Sequence, residues 1–338
     1  MDERILKNVA EIVKEDELDH IISEENLKGY IGFEPSGLVH LGTGLICGNK
    51  IKDLHESGIK MTVLLADWHA MINDKFNGDM EKIRKSAELM KESFISIGVP
   101  RDVRFIYADE LVGRKEYWEK VIKVAKNTTL NRLKRAMDIM GRKETDIDID
   151  TSKMIYPFMQ VADIFELDVD IALGGMDQRH AHMLARDIAP KLGFKPPIAI
   201  HTPLLAGLKG GNRMDISNKM SKSKADSAIF IIDTDEEIKK KIKLAFCPPN
   251  DTENNPIMDI YRFIIFPYYK EKIIIKRRGL GDTEIVSYND LAEKYRSGEI
   301  HPMDLKENLS EILIEILRPV KDYFEKHGLM ELVEEVRK

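Results

Sequence analysis

The sequence is poor in cysteine and has no long apolar run. Its two cysteines, Cys47 and Cys247, lie far apart in the chain, so a disulfide-stapled secreted domain is excluded and a reducing cytoplasm fits. No apolar stretch approaches the ~20 residues that a membrane-spanning helix needs. The N-terminal segment is charged and amphipathic, which is not the pattern of a signal peptide.

An excess of one charge is also lacking. The 52 basic and 58 acidic residues give a net charge of −6, which excludes a uniformly basic nucleic-acid coat but leaves local basic patches open. Hydrophobic residues make up 43% and charged residues 33% of the chain, so intrinsic disorder is excluded. At ~100–200 residues per domain, the length predicts at least two domains.

Short apolar runs alternate with segments of helical periodicity in the first part of the chain. Strands are predicted at Tyr30–Phe33, Met61–Ala66, Val103–Ala108, Val169–Leu173 and after Pro196. Helices are predicted over residues 4–29, 41–56, 79–98, 114–143, 156–167 and 176–192. This alternation predicts an α/β fold with a doubly wound parallel sheet. Residues 143–152 and 209–224 predict loops, and residues 230–338 predict a separate, helical domain.

A glycine-rich turn connects the first predicted strand to a helix and contains His40-Leu41-Gly42-Thr43. A helix N-terminus presents free N–H groups and the positive end of a dipole, so this turn is suited to an anion such as phosphate. His40 can donate a hydrogen bond to a phosphate oxygen. The alternative is an ordinary tight turn with a surface histidine, since the glycines match no dinucleotide fingerprint or P-loop.

A lysine-rich segment, Asn218-Lys219-Met220-Ser221-Lys222-Ser223-Lys224, lies much further along the chain. Its three lysines alternate with small polar residues and could fold over a polyphosphate. The alternative is a solvated lysine run.

Three polar residues share one face of a predicted helix. Tyr156, Gln160 and Asp163 follow each other at spacings of four and three. Together with Gln178 they could line a small polar pocket for an amino acid. The alternative is an amphipathic helix with an exposed polar stripe.

Two local patches are basic. The first runs from Lys123 to Lys143 with seven cations against one acid, and the second runs from Lys270 to Arg278. Either could contact a phosphate backbone, and the alternative for each is a solvated helix face. His180, His182 and His201 lack the spacing of a metal site.

The pair of motifs around His40 and Lys219, in this order on an α/β pattern, resembles the HIGH and KMSKS motifs of class I aminoacyl-tRNA synthetases. Five further segments resemble tyrosyl-tRNA synthetases of the archaeal and eukaryotic type: Tyr30–Gly37, Leu64–Ala70, Tyr156–Ile164, Gly174–Arg179 and His301–Lys306. The resemblance covers almost the whole chain. It implies a Rossmann-like catalytic domain over residues 1–229 and a helical anticodon-binding domain over residues 230–338.

The resemblance implies a tyrosine–tRNA ligase, which activates L-tyrosine with ATP and transfers it to the 3′ end of tRNA(Tyr). Tyr30 and Asp163 would bind the phenolic hydroxyl of tyrosine. Its α-amino group would contact Tyr156, Gln160 and Gln178, and the pocket would also be lined by Glu34 and His69. The ATP-binding residues would be Gly32, Pro35, Ser36, His40, Gly42, Thr43, Lys219, Met220, Ser221, Lys222 and Ser223. Of these, the resemblance makes His40, Thr43, Lys219 and Lys222 catalytic.

The same resemblance implies the remaining partners. The tRNA would contact Arg132, Lys134, Arg135, Arg179 and Asp304, the last at the first anticodon base. Mg²⁺ is expected with ATP but without a dedicated protein site. A cytoplasmic homodimer without membrane contact is implied, and the apolar groups of Val103–Tyr117 and Trp118 are expected either at its interface or in the core.

The sequence departs from the family pattern at two places. Thr43 replaces the final histidine of the HIGH motif, so a hydroxyl is present without the imidazole. The stretch from Lys276 to Gly281 offers no aromatic ring to stack on the anticodon base. Two rival functions stay open: a tryptophanyl-tRNA synthetase, which Tyr30 and Asp163 disfavour because an indole offers only an N–H, and a catalytically inactive tRNA-binding paralogue.

Overall fold

The structure is a computed structural model that describes residues 2–22, 26–137, 150–211, 220 and 227–337. The strands are β1 (Glu11–Val13), β2 (Lys28–Phe33), β3 (Lys60–Leu65), β4 (Arg104–Tyr107), β5 (Ile171–Gly175), β6 (Ile198–Thr202), β7 (Ile273–Arg277) and β8 (Gly281–Ile285). No helix in the part of the chain that the structure describes is long and apolar enough to cross a membrane.

Helices surround and follow the strands. In the first part of the chain they are α1 (Glu3–Leu6), α2 (Glu15–Ile21), α3 (Gly48–Glu56), α4 (Asp67–Ile72), α5 (Met80–Ser96), α6 (Asp109–Val112), α7 (Lys115–Lys126), α8 (Leu130–Met137), α9 (Ser152–Glu166) and α10 (Arg179–Leu192). Further along are α11 (Asp235–Leu244), α12 (Pro256–Ile260), α13 (Tyr288–Arg296), α14 (Pro302–Lys326) and α15 (Met330–Arg337). π-Helical turns at Gly42–Cys47 and Tyr261–Tyr269 lead into α3 and follow α12.

Six strands form one sheet in the order β1-β6-β5-β2-β3-β4. The strands from β2 to β6 are parallel, and β1 runs antiparallel to β6. Successive residues of a strand point to opposite faces, yet Val63, Leu64 and Leu65 of β3 are all buried. Both faces of the sheet are therefore covered, as is usual for parallel sheets. The expected doubly wound parallel sheet is confirmed.

Strand β2 has β3 on one side and β5 on the other. The strands that follow β2 in sequence are added on one side of it as β3 and β4 and on the other side as β5 and β6. The strand order therefore switches between the neighbouring strands β2 and β5. Ligands of open α/β sheets bind outside the carboxyl ends of the strands at such a point. Phe33 and Gly175 end these two strands and mark the place.

The expected single helix over residues 4–29 is wrong. Lys14, with a φ of 67°, breaks the helical path between β1 and α2. Ile12 of β1 pairs with Ile200 of β6 and extends the sheet by one edge strand. The open edge of β6 offers hydrogen bonds to a short segment, and this tertiary pairing outweighs helical periodicity.

Three other elements differ from expectation. The helical region from residue 114 is two helices, α7 and α8, and its end at residues 138–143 lies outside the described residues together with the predicted loop at 143–149. Helix α9 begins at Ser152 and contains Pro157. The basic stretch from Lys270 to Arg278 is not a helix face, because residues 273–277 form β7 and pair with β8 across a turn at Gly279, where φ is 76°.

The C-terminal region is joined to the glycine-rich turn by backbone hydrogen bonds. The N–H of Leu41 donates to the Ile229 carbonyl at 3.0 Å, and the N–H of Ile231 donates to the Val39 carbonyl at 2.9 Å. A side chain at Gly44 would place its Cβ 2.8 Å from Ile231 Cγ2, so glycine permits this close approach. The segment at residues 229–231 therefore holds the turn in place, and the domain boundary at 229/230 stays a prediction.

Candidate active site

Residues expected in the amino-acid pocket lie at the carboxyl ends of β2 and β5. Glu34 follows β2 directly, and Gly174 precedes the short turn that contains Gln178. A side chain at Gly174 would place its Cβ 2.9 Å from His182 Cε1 and 3.0 Å from Gln178 Cβ. Glycine at this position therefore lets both side chains pack against the strand end.

Asp163, one of the residues expected in the amino-acid pocket, is buried. The hydroxyl of Tyr117 donates to Asp163 Oδ1 at 2.8 Å. His69 Nε2 lies 3.1 Å from Asp163 Oδ2 without the alignment of a hydrogen bond. Burial and the nearby charge of Asp163 raise the pKa of Tyr30 well above its ordinary value. Burial lowers the pKa of His69, but Asp163 outweighs this effect and leaves the pKa above the ordinary value.

Glu34 lies at the centre of a second group of polar side chains. The hydroxyl of Tyr156 donates to Glu34 Oε1 at 2.5 Å, and Asn73 Nδ2 lies 3.1 Å from both carboxylate oxygens. Lys75 Nζ lies 3.4 Å from Glu34 Oε2. Burial, followed by the charge of Glu34, raises the pKa of Tyr156 well above its ordinary value. The tyrosine hydroxyl is thereby kept as a donor to the carboxylate.

The loop after α4 carries backbone strain next to Glu34. Asp74, Phe76 and Asn77 all have φ between 50° and 56°, a left-handed region that costs energy for residues other than glycine. Asn73 and Lys75, which contact Glu34, flank or lie within this loop. The strained path therefore directs two side chains of one short segment onto the same carboxylate.

Three polar atoms of Gln160 and His69 have no hydrogen-bond partner among the described residues. Gln160 Nε2 donates to Gln178 Oε1 at 3.0 Å, which joins two residues that were expected to share the pocket. Within the described parts of the chain, Gln160 Oε1 and both ring nitrogens of His69 are buried without a hydrogen-bond partner. Because buried polar atoms are nearly always paired in folded proteins, these atoms indicate a site for a polar ligand.

The turn that precedes α3 is organised by His40. The N–H groups of Gly42 and Thr43 lie 3.1 and 3.4 Å from His40 Nδ1, which accepts from them. A neutral ring then carries its proton on Nε2, which lies 3.2 Å from Thr43 Oγ1. Thr43, which replaces the expected histidine, therefore contacts His40 directly, and the His40 side chain is half-buried.

The expected lysine segment falls mostly outside the described residues. Lys219, Ser221, Lys222 and Ser223 lie there. Met220 is described and buried, and its N–H donates to the Leu205 carbonyl at 2.8 Å. Leu205 Cδ1 lies 3.9 Å from the position of a Cβ on Gly42. Met220 is thereby anchored to a segment that borders the His40 turn.

The residues expected to contact tRNA lie outside the pocket. Arg132 on α8 pairs with Asp187 at 2.6 Å, while Lys134 and Arg135 are exposed on the same helix. Arg179 Nε pairs with Glu11 at 2.8 Å. Asp304 is buried at the start of α14, with Arg278 Nε 3.9 Å from its Oδ1.

A chain of four charged or titratable groups, which the sequence did not reveal, links Arg179 and Glu11 to the buried rings of His201 and His182. Glu11 Oε2 lies 2.9 Å from His201 Nδ1, and His201 Nε2 lies 3.0 Å from His182 Nδ1. A carboxylate can only accept, so His201 carries its proton on Nδ1 and accepts from His182 on Nε2. Burial opposes the charge of Glu11, but Arg179 and His201 leave its pKa below the ordinary value.

Sequence reasoning also missed Tyr117 and Asn73. Tyr117 was expected with Val103 at a dimer interface or in the core, and both side chains are buried inside this chain. The interface alternative is therefore wrong for these two residues. The polar neighbours of Asn73 and Tyr117 are distant in sequence, so no local pattern identified them.

Comparison with known proteins places this arrangement in context. A family model described as tRNA synthetases class I (W and Y) matches residues 23–318. The chain is 56% identical over 319 residues to the tyrosine–tRNA ligase of Picrophilus torridus, covering 94% of this chain and 97% of that relative. It is 51% identical over 336 residues to the tyrosine–tRNA ligase of Saccharolobus solfataricus, covering 95% of this chain and 92% of that relative.

Solved structures show the same similarity. The tyrosyl-tRNA synthetase from Aeropyrum pernix matches with a TM-score of 0.89 and 44% identity, covering 99% of this chain and 97% of the other. The tyrosyl-tRNA synthetase complexed with L-tyrosine from Pyrococcus horikoshii matches with a TM-score of 0.92 and 40% identity, covering 99% of this chain and 98% of the other. The similarity in sequence and fold therefore extends over nearly the whole chain.

Proposed function

The chain belongs to the class I tRNA synthetases for tryptophan and tyrosine, and within them to the tyrosine–tRNA ligases; from this premise we propose which residues act in each step. The enzyme activates tyrosine with ATP and charges tRNA. The tyrosine carboxylate attacks the α-phosphorus of ATP, so that tyrosyl-adenylate forms and pyrophosphate leaves. The terminal ribose hydroxyl of tRNA then attacks the adenylate carbonyl, and AMP leaves. Because the enzyme forms no covalent intermediate, its residues act by positioning and by charge.

The amino-acid pocket uses its two ends for the two ends of tyrosine. A phenol is both a donor and an acceptor, so Asp163 accepts its proton and the Tyr30 hydroxyl donates to its oxygen. Gln160 Oε1, which is buried without a partner among the described residues, accepts from the α-ammonium group together with Tyr156 and Gln178. The unpaired polar atoms of Gln160 and His69 are the observation that carries this assignment.

ATP binds along the turn from Gly32 to Thr43. A side chain at Gly32 would place its Cβ 2.7 Å from the Tyr30 hydroxyl, so glycine lets this hydroxyl lie over the end of β2. His40 and Thr43, which contact each other, bind phosphate oxygens with the ring N–H and the hydroxyl. Pro35, Ser36 and Gly42 shape the turn.

Lys219 and Lys222 act on the pyrophosphate as it leaves, with Met220, Ser221 and Ser223 in the same segment. The attachment of Met220 to Leu205, beside the His40 turn, supports this role.

We propose that Mg²⁺ enters the site together with ATP. The turn offers an imidazole and a hydroxyl, which suit a cation that the phosphates bring rather than one in a protein cage.

The tRNA lies across a surface that is separate from the pocket. Lys134 and Arg135 are exposed on α8, and Arg132 lies beside them, so this helix contacts the phosphates of the acceptor end. Arg179, at the start of α10, contacts the acceptor end near the pocket. Asp304 in the C-terminal region contacts the first anticodon base.

The assembly is a cytoplasmic homodimer. Apolar side chains that are exposed on α7, α8 and the start of α9 supply its interface: Ile122, Leu130, Met154 and Ile155. These helices pack against one another, so their exposed residues can form one face. Sedimentation of the enzyme at micromolar concentration is expected to show a dimer, and a monomer there would overturn this assignment.

The pocket assignment is tested by amino-acid selectivity. A site that pairs with a hydroxyl rejects an analogue lacking it by roughly 10⁴–10⁵, a magnitude taken from a tyrosyl enzyme of this class. Asp163→Ala combined with Tyr30→Leu is expected to lower the preference for tyrosine over phenylalanine, measured as kcat/KM in ATP–pyrophosphate exchange. A preference that stays within a few-fold of the wild type would show that the hydroxyl binds elsewhere.

A further inference from the structure

Tyr117 contributes a hydroxyl to the pocket from outside the motif segments. It lies on α7, and its side chain is 0% exposed. Its hydroxyl donates to Asp163 Oδ1 at 2.8 Å and lies 3.3 Å from the Met159 carbonyl. Burial and the charge of Asp163 raise the pKa of Tyr117 well above its ordinary value, so the phenol remains a hydrogen-bond donor.

The carboxylate of Asp163 depends on this contact for its orientation. Asp163 is 1% exposed on α9, so water does not compete for its oxygens. Tyr117 supplies the one aligned hydrogen bond to the Asp163 carboxylate in the described parts of the chain, and His69 Nε2 lies 3.1 Å from the other carboxylate oxygen without that alignment. The bond joins α7 to α9 and uses Oδ1, which restricts rotation of the carboxylate.

A carboxylate has about four acceptor positions. With one position of Oδ1 occupied by Tyr117, the remaining positions are held at defined places relative to the pocket. A substrate phenol must find an acceptor at hydrogen-bond distance and in line, since this bond weakens steeply when misaligned. The position and alignment of this acceptor oxygen of Asp163 therefore decide how strongly tyrosine is preferred over phenylalanine.

We propose that Tyr117 is a positioning residue that orients Asp163 and thereby sets the preference for tyrosine over phenylalanine. The inference rests on the proposed role of Asp163 in binding the phenol. Tyr117 itself does not need to touch the substrate. Its effect passes through one carboxylate, so it acts on tyrosine and not on phenylalanine, which offers Asp163 no hydrogen bond.

Tyr117→Phe tests the proposal, because it removes one oxygen and keeps the ring. In ATP–pyrophosphate exchange, kcat/KM for tyrosine is expected to fall about tenfold to a hundredfold, the effect of losing a hydrogen bond to a charged group. The kcat/KM for phenylalanine is expected to stay within about twofold of the wild-type value. A purely structural role of Tyr117 would lower both values together and would overturn the proposal.

A double-mutant cycle with Asp163→Ala separates this inference from the function on which it rests. In the Asp163→Ala background, Tyr117→Phe is expected to have no further effect on tyrosine. If Tyr117→Phe still lowers kcat/KM there, it acts independently and the inference is wrong. If Asp163→Ala reduces the preference and Tyr117→Phe does not, the inference alone fails. If Asp163→Ala leaves the preference unchanged, the proposed pocket fails and the inference fails with it.

Tyr295→Phe is the matched control. Its hydroxyl donates to the Pro248 carbonyl at 2.8 Å, and its side chain is buried in the C-terminal region. The substitution therefore removes a comparable hydroxyl far from the pocket in sequence. Tyr295→Phe is expected to leave the ratio of kcat/KM for tyrosine to kcat/KM for phenylalanine at the wild-type value. If Tyr295→Phe and Tyr117→Phe change this ratio equally, the assignment of Tyr117 is wrong.

Discussion

The His182–His201 pair predicts a specific loss of stability in mild acid. Burial, with a smaller contribution from His201, lowers the pKa of His182 to about 3. Burial also lowers the pKa of His201 despite the neighbouring Glu11. Both rings are therefore neutral in the folded protein at neutral pH. An unfolded chain has no such burial, so its histidines titrate near the ordinary pKa of about 6.5.

The sign and size of the effect follow from proton linkage. Below about pH 6.5 the unfolded chain binds a proton that folded His182 does not, so the stability that the neutral ring contributes above that pH decreases as the pH falls toward the folded pKa. Between about pH 7.5 and about pH 5.5, a single histidine with these two pKa values lowers the free energy of unfolding by about 1.4 kcal/mol. His201 contributes in the same direction.

His182→Asn isolates the contribution of one ring. The asparagine Nδ2 can replace His182 Nδ1 as the donor to His201, and it does not titrate. Urea denaturation of both proteins at the two pH values is the measurement. The wild type is expected to lose about 1.4 kcal/mol more than the variant over this interval. Equal losses in the two proteins would show that His182 is not held neutral by burial.

Three further predictions concern the reaction. Asn73→Ala removes the contacts at 3.1 Å to both oxygens of Glu34 and is expected to raise the KM for tyrosine about tenfold without changing that for ATP; an unchanged tyrosine KM would contradict the role of this loop. Lys219→Ala and Lys222→Ala are each expected to raise the activation free energy of adenylate formation by about 2–4 kcal/mol, while the affinity for tyrosine stays nearly constant. Pre-steady-state kinetics measure this rate, and wild-type rates in both variants would exclude the assignment. Asp304→Ala is expected to lower kcat/KM for tRNA charging by an amount that corresponds to about 1–3 kcal/mol of lost recognition energy, while ATP–pyrophosphate exchange without tRNA stays normal. A loss of exchange would instead indicate a folding defect.

The parts of the fold that the sequence predicts are those with strong local signals. Strands β2, β3 and β5 are apolar on both faces, and turns follow them, so their pattern suffices. Strand β1 forms because β6 presents an open edge, which no local pattern shows. The β7–β8 hairpin was missed because Ile273, Ile274 and Ile275 are consecutive, so the alternation of buried and exposed residues is hidden, although Gly279 and Gly281 signal the turn.

In the candidate site, too, the sequence predicts the residues that lie in local motifs and misses those that contact them from distant segments. Glu34, His40 and Asp163 lie in segments with recognisable motifs, and the structure brings the carboxylates of Glu34 and Asp163 close enough to His69 for both to raise its pKa. The residues that hold them come from elsewhere: Tyr117 is 46 positions from Asp163, and Asn73 is 39 positions from Glu34. Such pairings depend on how helices pack, which single-sequence periodicity does not contain.

We expect this chain to activate tyrosine without help from tRNA. ATP–pyrophosphate exchange with the purified enzyme, tested separately with tyrosine, tryptophan and phenylalanine, measures this directly. Exchange is expected to depend on tyrosine, with tryptophan inactive and phenylalanine weaker by a factor on the order of 10⁴ or more. Exchange driven by tryptophan, or none with any of the three amino acids, would contradict it.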